Sequence, residues 1–183
     1  EADYELTILD FSRNEQKEAA YQAVNPKGRV PALITESGVL TETPAILLYI
    51  ARRFGAGSLV GAHDPFVFAQ LQDFNSYLAS TVHVAHAHRL RGSRWTDDPQ
   101  AIEALKKKVP ESMTQVMRLI EDDLLKGPWT HGEAYTICDP YLFTISSWLE
   151  SDGVDTTALP RLMAHREKML ARPATQAVLS QIN

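Results

Sequence analysis

Cysteine is almost absent from this sequence, since Cys138 is the only one among 183 residues. A single cysteine excludes an intrachain disulfide framework and fits a reducing compartment. No apolar run approaches the roughly 20 residues that a membrane-spanning helix needs. The chain also lacks the basic-then-apolar start that opens a signal peptide. The expected location is therefore the cytoplasm, with no membrane partner.

An excess of positive charge is missing as well, because the formal net charge is −5 at pH 7. A nucleic-acid partner favours a basic face, so no such partner is expected. There is no internal repeat and no low-complexity stretch. What is present is ordinary for a soluble globular protein, with 44% hydrophobic and 22% charged residues. A chain of this length buries a sizeable core in one large domain or two small ones.

The first part of the chain has a mixed pattern of strands and helices. Tyr4–Asp10 alternates apolar and polar residues and is predicted to be a strand. A short helix is expected over residues 15–21, with Ser12 or Asn14 as its cap.

A hairpin and a second helix are predicted next. Ala32–Thr35 and Val39–Thr41 read as short strands on either side of a tight loop at residues 36–38. Thr43 then caps a helix with Pro44 at its first position, where the missing N–H costs nothing. Glycines just beyond it end this helix. The apolar residues expected on its buried face are Ile46, Tyr49, Ile50 and Phe54.

The rest of the chain is predicted to be entirely helical. Gly, Pro and Asp clusters divide it into segments, and we expect helices near 64–91, 99–125, 137–151, 159–171 and 173–181. The change in pattern places a domain boundary after the glycines that follow the second helix. The expected domains are residues 1–57 and residues 64–183.

The start of the helix near residue 137 has two possible registers. Thr136 and Asp139 have the spacing of a capping box, with a hydroxyl at the cap and an acid three residues later. Pro140 disfavours helical angles in the residue before it. Asp139 is therefore a second candidate for the cap, with Pro140 first in the helix.

The segment Asn25–Pro31, followed ten residues later by Thr41–Ile46, carries most of the functional information. Together with the helical pattern that follows, it resembles the glutathione-binding half of a cytosolic glutathione S-transferase of the bacterial, beta-like type. The resemblance extends over essentially the whole chain. It implies an α/β thioredoxin-like N-terminal domain, here lacking its first strand and helix, followed by an all-α C-terminal helical bundle domain.

The resemblance also implies an activity. Such enzymes are homodimers that use glutathione as co-substrate, and they hold its thiol as a thiolate. The thiolate attacks a small hydrophobic electrophile or exchanges with a disulfide. The alternative is a non-catalytic member of the same fold that binds a ligand or another protein, because fold alone does not decide function.

Val30 and Pro31 are implied to bind the middle of glutathione. In the resembling family the bond before this proline is cis, and the turn presents the main chain of the preceding residue. The Val30 N–H and C=O are therefore expected to pair with the cysteinyl backbone like one added strand. The alternative is an ordinary trans proline at the start of a strand.

Glu42 and Thr43 are implied to bind the γ-glutamyl end of glutathione. That end is a zwitterion, so its pocket needs an acid for the amine and donors for the carboxylate. A carboxylate beside a helix N-terminus offers both, because the first N–H groups of a helix lack partners. The alternative is that Thr43 only caps the helix and Glu42 complements its dipole. The contact with the glycine end stays open, with Asn14 and Arg29 as the candidates.

Ser80 and His83 are implied to face the second-substrate pocket. They match a hydroxyl and a histidine, three residues apart, in the fourth helix of beta-like transferases. The alternative is that His83 is a polar residue on the helix surface. His83 and His86 share a helix face, but the sequence supplies no third zinc ligand nearby, so no metal is expected.

The catalytic residue is not expected within this sequence. Glu1–Tyr4 resembles the end of the family's first helix and the start of its second strand. The resemblance therefore implies that the Cys, Ser or Tyr that activates the thiol lies upstream of Glu1, and that the sheet is incomplete without that segment. Cys138 is expected to be a small core residue.

Overall fold

Two short strands and two helices make up the first part of the chain in the computed structural model, which describes residues 3–61 and 64–182. The strands β1 (Ala32–Thr35) and β2 (Gly38–Thr41) form an antiparallel hairpin in which Ala32 lies opposite Thr41. The helices are α1 (Ala19–Val24) and α2 (Thr43–Arg53). The predicted hairpin is confirmed, and it brings the residues before β1 close to those after β2.

The remaining helices agree with the predicted segments, except that the helix predicted near 137–151 ends at Ser146 and is followed by turns. Their bounds are α3 (Pro65–Tyr77), α4 (His83–Arg91), α5 (Pro99–Leu119), α6 (Cys138–Ser146), α7 (Pro160–Leu170) and α8 (Pro173–Ile182). A π-helical segment, Leu78–Val82, joins α3 to α4, so the predicted helix near 64–91 is one continuous rod. A second π-helical segment, Ile120–Leu124, extends α5. Among the described residues, no helix is both long and apolar enough to cross a bilayer.

The hydrophobic core lies between the long helices of the second part of the chain. The largest fully buried apolar side chains are Leu71, Leu78, Met113, Met117, Ile120, Leu125, Leu142, Ile145, Leu149, Leu159 and Leu162. Helix α2 joins the same core through Ala51, with Leu47 and Leu48 packed against it. This packing places the N-terminus of α2, and with it the predicted ligand residues, next to the helical part.

The predicted strand at Tyr4–Asp10 does not form. Within the described residues the sheet contains only β1 and β2, and residues 3–10 have no regular secondary structure. Leu6 and Ile8, the apolar residues of this segment, are exposed. The physical reason is that a strand needs a neighbour for its ladder, and this segment has none.

Residues 15–21 do not form the single helix that was predicted. Glu15–Lys17 is a 3-10 turn, and Glu18 then adopts extended angles before α1 begins. Neither candidate cap acts as one, because Asn14 makes no capping bond and the Ser12 hydroxyl bonds to Asp10 at 2.6 Å.

Helix α2 turns a different face to the core than predicted. Ile46 is buried, but Ile50 and Phe54 are exposed. The cap also differs, since the helix begins at Thr43 and Glu42 is the N-cap residue. The apolar pattern of this helix covers more than one face, so periodicity alone did not identify the buried one.

The capping box at the start of α6 is confirmed over the alternative. The Thr136 hydroxyl accepts a hydrogen bond from the Cys138 N–H at 3.3 Å, and the Asp139 carboxylate accepts one from the Thr136 N–H at 2.6 Å. The carboxylate bond is that of such a box, whereas the hydroxyl accepts from the Cys138 N–H and not from the Asp139 N–H, because α6 begins at Cys138 after Ile137. Asp139 is therefore the acid of the box, and the alternative that placed it at the cap is wrong.

Candidate functional site

The loop before β1 is held in place from within. Asn25 is buried and its side-chain amide donates to the Arg29 C=O at 2.6 Å, a carbonyl that also accepts from the Tyr21 hydroxyl at 2.8 Å. Gly28 has a φ of +59°, and a Cβ there would meet the Gln16 C=O at 3.1 Å. Only glycine fits this turn without strain. The loop therefore presents the next residue, Val30, in a fixed orientation.

Val30 displays its main chain at the surface. The Val30–Pro31 peptide bond is cis, as predicted. The side chain of Val30 is 45% exposed. Among the described residues, no hydrogen bond is made by its N–H or its C=O. Both groups are thus available to pair with an extended peptide-like ligand.

Glu42 stands at the start of α2 in an unusual backbone conformation. Its φ is +70°, which is rare for a residue with a side chain. Backbone outliers of this kind often occur at functional sites, where the surrounding structure holds them. Thr43 is the first residue of the helix, and no side chain caps its free N–H groups. An acid and free donors therefore lie side by side, as a zwitterionic ligand end requires.

Lys27 is a member of the site that the sequence reasoning missed. Its ammonium lies 2.6 Å from the Glu42 carboxylate and 2.8 Å from the Thr41 hydroxyl. The hairpin register explains this position of Lys27. Because Ala32 pairs with Thr41, the chain before β1 lies beside the chain after β2. The site thus has a cation next to its acid.

Ser80 and His83 lie on the rod formed by α3 and α4. The Ser80 hydroxyl donates to the Ser76 C=O at 2.8 Å within that rod, and Ser80 is exposed. The His83 ring reaches across to α6, where its Nδ1 lies 3.3 Å from the Tyr141 hydroxyl. Its ring centre is also 5.0 Å from that of Trp148.

Charged residues near the N-terminus of α2 and in the loop before β1 shift the pKa values of side chains on the helical part. Burial raises the pKa of Tyr141 to about 12, and the negative charge of Glu42 contributes to the rise. Desolvation lowers the pKa of His83 below its ordinary value, and the positive charges of His86, Arg94 and Arg29 lower it further. The neutral imidazole of His83 is therefore favoured around neutral pH. Glu42 and Arg29 are close enough to the helical part to act on Tyr141 and His83.

Cys138 lies inside the core, as predicted. Its side chain has no exposure, and its thiol donates to the Leu71 C=O at 3.4 Å. Burial raises the pKa of the thiol far above its ordinary value. The thiolate that nucleophilic chemistry needs is therefore strongly disfavoured. Within the described residues, no group of three or more His, Cys, Asp or Glu side chains is arranged to hold a metal ion.

Comparisons with known proteins agree with this architecture. A family model described as "Glutathione S-transferase, N-terminal domain" matches residues 1–52. Glutathione S-transferase GstA of Escherichia coli O157:H7 is 28% identical over 180 residues, covering 97% of this chain and 86% of the relative. The disulfide-bond oxidoreductase YfcG of Escherichia coli K12 is 25% identical over 196 residues, covering 98% of this chain and 85% of the relative.

A solved structure gives a stronger match. The crystal structure of a glutathione transferase homolog from Sulfitobacter, with bound glutathione, is 44% identical to this chain. It superposes with a TM-score of 0.90 and covers 94% of this chain and 83% of that one. The chain therefore belongs to the glutathione S-transferase family. The predicted fold, a thioredoxin-like domain followed by a helical one, is confirmed.

Proposed function

We propose that Val30, Pro31, Glu42 and Thr43 form the glutathione-binding site of this chain, which is a glutathione S-transferase. The observation that carries the proposal is the placement of an open main-chain segment at Val30 beside an acid at the N-terminus of α2. Conjugation of glutathione to a chromogenic electrophile by the full-length protein, followed by absorbance, tests the activity.

The main chain of Val30 pairs with the cysteinyl unit of glutathione. An extended peptide adds to such a segment as one more strand, and its main-chain hydrogen bonds supply affinity. The rigid loop behind Val30 reduces the entropy cost of ordering the site on binding. Pro31 has no N–H, so it donates no main-chain hydrogen bond to the ligand.

Glu42 accepts the amine of the γ-glutamyl end. The free N–H groups of the first turn of α2 and the Thr43 hydroxyl donate to the α-carboxylate of the same γ-glutamyl end. Lys27, 2.6 Å from the Glu42 carboxylate, adds positive charge next to the carboxylate of the ligand. Because the Lys27–Glu42 pair is about half exposed, at 49% and 63%, the ligand amine replaces Lys27 at little cost.

Ser80 and His83 face the second substrate, a small hydrophobic electrophile or a disulfide. In conjugation the thiolate sulfur forms a bond to an electrophilic carbon, and the leaving group departs with the electron pair of the broken bond. In exchange the thiolate attacks one sulfur and the disulfide bond breaks. The protein contributes by orienting the two reactants. Neutral His83, with Tyr141, offers polar contacts to the substrate.

His83→Ala is expected to lower turnover several-fold while changing the glutathione dissociation constant less than twofold. The His83 ring contacts Tyr141 and Trp148 of the helical part, so its loss is expected to affect the second substrate. Steady-state kinetics with calorimetry of glutathione binding measure the two effects separately. Equal losses of binding and turnover indicate a structural role for His83.

We further propose that the protein acts in the cytoplasm as a homodimer of two-domain chains, divided into residues 1–57 and 64–183. The support for the dimer is apolar surface at the junction of α2 and α3. Phe54 is 56% exposed and Phe66 is 71% exposed. Large apolar side chains exposed on either side of this junction are candidates for an interaction surface.

Sedimentation at micromolar concentration is expected to show a dimer, and Phe66→Asp is expected to shift it toward monomer. A charge at this exposed position has little effect on the fold of one chain but is costly in an apolar interface. An unchanged urea unfolding curve at monomeric concentration is the check on folding. A wild-type monomer, or a Phe66→Asp dimer of undiminished affinity, contradicts the proposal.

A further inference from the structure

A buried carboxylate lies beneath the second-substrate side of the site, and the function proposed above does not use it. The side chain of Asp152 has no exposed surface. It belongs to the turns that follow α6, where its N–H donates to the Trp148 C=O at 2.9 Å. An ionised carboxylate is costly to bury unless it is paired, so its partners indicate what holds it there.

The partners of Asp152 come from one face of α4. The Nδ1 of His86 lies 2.7 Å from one carboxylate oxygen, and the guanidinium of Arg89 lies 3.6 Å from the other. His83, His86 and Arg89 are spaced three residues apart, so they share this face of the helix. The same face of α4 therefore carries His83, the predicted second-substrate residue, together with His86 and Arg89, the two partners of Asp152.

The His86 ring connects Asp152 to the indole of Trp148, which lies beside His83. Its ring centre lies 4.2 Å from that of Trp148, with an angle of 24° between the planes. The indole of Trp148 in turn lies 5.0 Å from the His83 ring. One edge of His86 is thus fixed by the carboxylate, and one face is stacked on the indole.

The Asp152–His86 bond is not needed merely to hold α4 against the turns that follow α6. Arg89 already ties α4 to the same turn, since it donates to the Ser151 hydroxyl, which donates to the Trp148 C=O at 2.8 Å. The bond to Asp152 adds a fixed orientation of a flat ring. Flat rings in fixed positions favour stacking with planar ligands, and each such contact is worth a few-fold in affinity.

We propose that Asp152, acting through His86, is a positioning residue that holds Trp148 as a flat wall beside His83, so that the second-substrate pocket favours planar aromatic electrophiles. This inference rests on the proposed function, because it concerns the pocket next to bound glutathione. Asp152 does not contact substrate.

Binding of two glutathione conjugates to the full-length protein tests the inference without depending on catalysis. S-(2,4-dinitrophenyl)glutathione carries a planar aromatic group, and S-butylglutathione carries a flexible alkyl group. Calorimetry gives the ratio of their affinities in each variant. Asp152→Leu and Asp152→Asn form a matched pair, because both remove the charge but only asparagine keeps an acceptor for the His86 N–H.

Asp152→Leu is expected to lower the affinity ratio, aromatic over alkyl, about fivefold, which is the size of one stacking contact. Asp152→Asn is expected to retain the ratio. His86→Ala is expected to lower it as Asp152→Leu does, and it decides the matter if Asp152→Leu fails to fold. Glu150→Gln is the control, because this neighbouring acid pairs with Arg166 instead, at 2.6 Å.

An unchanged ratio in Asp152→Leu or in His86→Ala, with both conjugates still bound, overturns this inference and leaves the proposed function intact. An equal loss in Asp152→Leu and Asp152→Asn also overturns it, because the effect then follows the charge and not the bond to His86. Failure of the wild-type protein to bind S-butylglutathione contradicts the proposed function itself.

Discussion

Replacing Glu42 with alanine is expected to weaken glutathione binding roughly 10- to 150-fold, because a charge-assisted hydrogen bond contributes about 1.5–3 kcal/mol. The amine of the γ-glutamyl end loses its counter-charge, while the contacts to Val30 and to the N-terminus of α2 remain. Calorimetry of glutathione binding measures the effect. Glu42→Gln keeps the shape of the side chain, so it shows how much of the loss is due to the charge.

The fold of the site is expected to survive this change. The bond that Glu42 makes to Lys27 is half exposed, and surface pairs of this kind contribute about 1 kcal/mol or less. Glu36→Ala is a suitable control, because this exposed acid lies in the hairpin turn of the same domain. Unchanged affinity in Glu42→Ala, or an equal loss in Glu36→Ala, places the zwitterion pocket elsewhere.

The largest expected effect on stability belongs to Asp139. Its side chain has no exposure and accepts hydrogen bonds from the Thr130 N–H at 2.8 Å, the Thr136 N–H at 2.6 Å and His165 Nε2 at 3.0 Å. Asp139→Ala leaves these buried donors without an acceptor. The free energy of unfolding is expected to fall by about 3–5 kcal/mol, the usual result of breaking a buried pair.

Urea unfolding measures this loss, with Asp122→Asn as the control. Asp122 is an exposed acid in the extension of α5, and its replacement is expected to change stability by at most about 0.5 kcal/mol. A loss below about 1 kcal/mol in Asp139→Ala would mean that the network around α6 contributes little to the fold.

The pH dependence of this effect has a definite sign. Burial alone raises the pKa of Asp139, but hydrogen bonds from His165 and from the Thr130 and Thr136 N–H groups lower it below its ordinary value. A lowered pKa gives stability that is fully present above the unfolded-state pKa of about 3.9 and is lost as the pH falls through the folded-state pKa. The difference between the wild-type protein and Asp139→Asn is therefore expected to narrow below about pH 4.

Local chemistry was enough to predict much of the fold. The tight turn between Thr35 and Gly38 fixed the hairpin, and Pro, Gly and Asp clusters fixed the helix ends. The capping box at Thr136 and Asp139 was visible in the spacing alone. Alternation alone predicted a strand at Tyr4–Asp10, but a strand also needs a neighbour, and the sheet of the described residues contains only β1 and β2, as expected for an incomplete sheet.

The candidate site was identifiable from the sequence where its members lie close together along the chain. Val30 and Glu42 belong to one hairpin and its flanks, so a short motif contains both. Lys27 was missed because its role follows from the hairpin register. Tyr141, Trp148 and Asp152 were missed because α6 and the turns after it lie far from His83 in sequence, 58 residues in the case of Tyr141, and only tertiary packing brings them together.

A crystal structure of the protein with bound glutathione is the most direct test of the proposed binding site. We predict that the cysteinyl backbone pairs with the N–H and C=O of Val30 and that the γ-glutamyl amine lies within hydrogen-bond distance of Glu42. The α-carboxylate of the same γ-glutamyl end is expected at the N-terminus of α2. Glutathione bound with its γ-glutamyl end away from Glu42, or with no main-chain bond to Val30, would contradict the account.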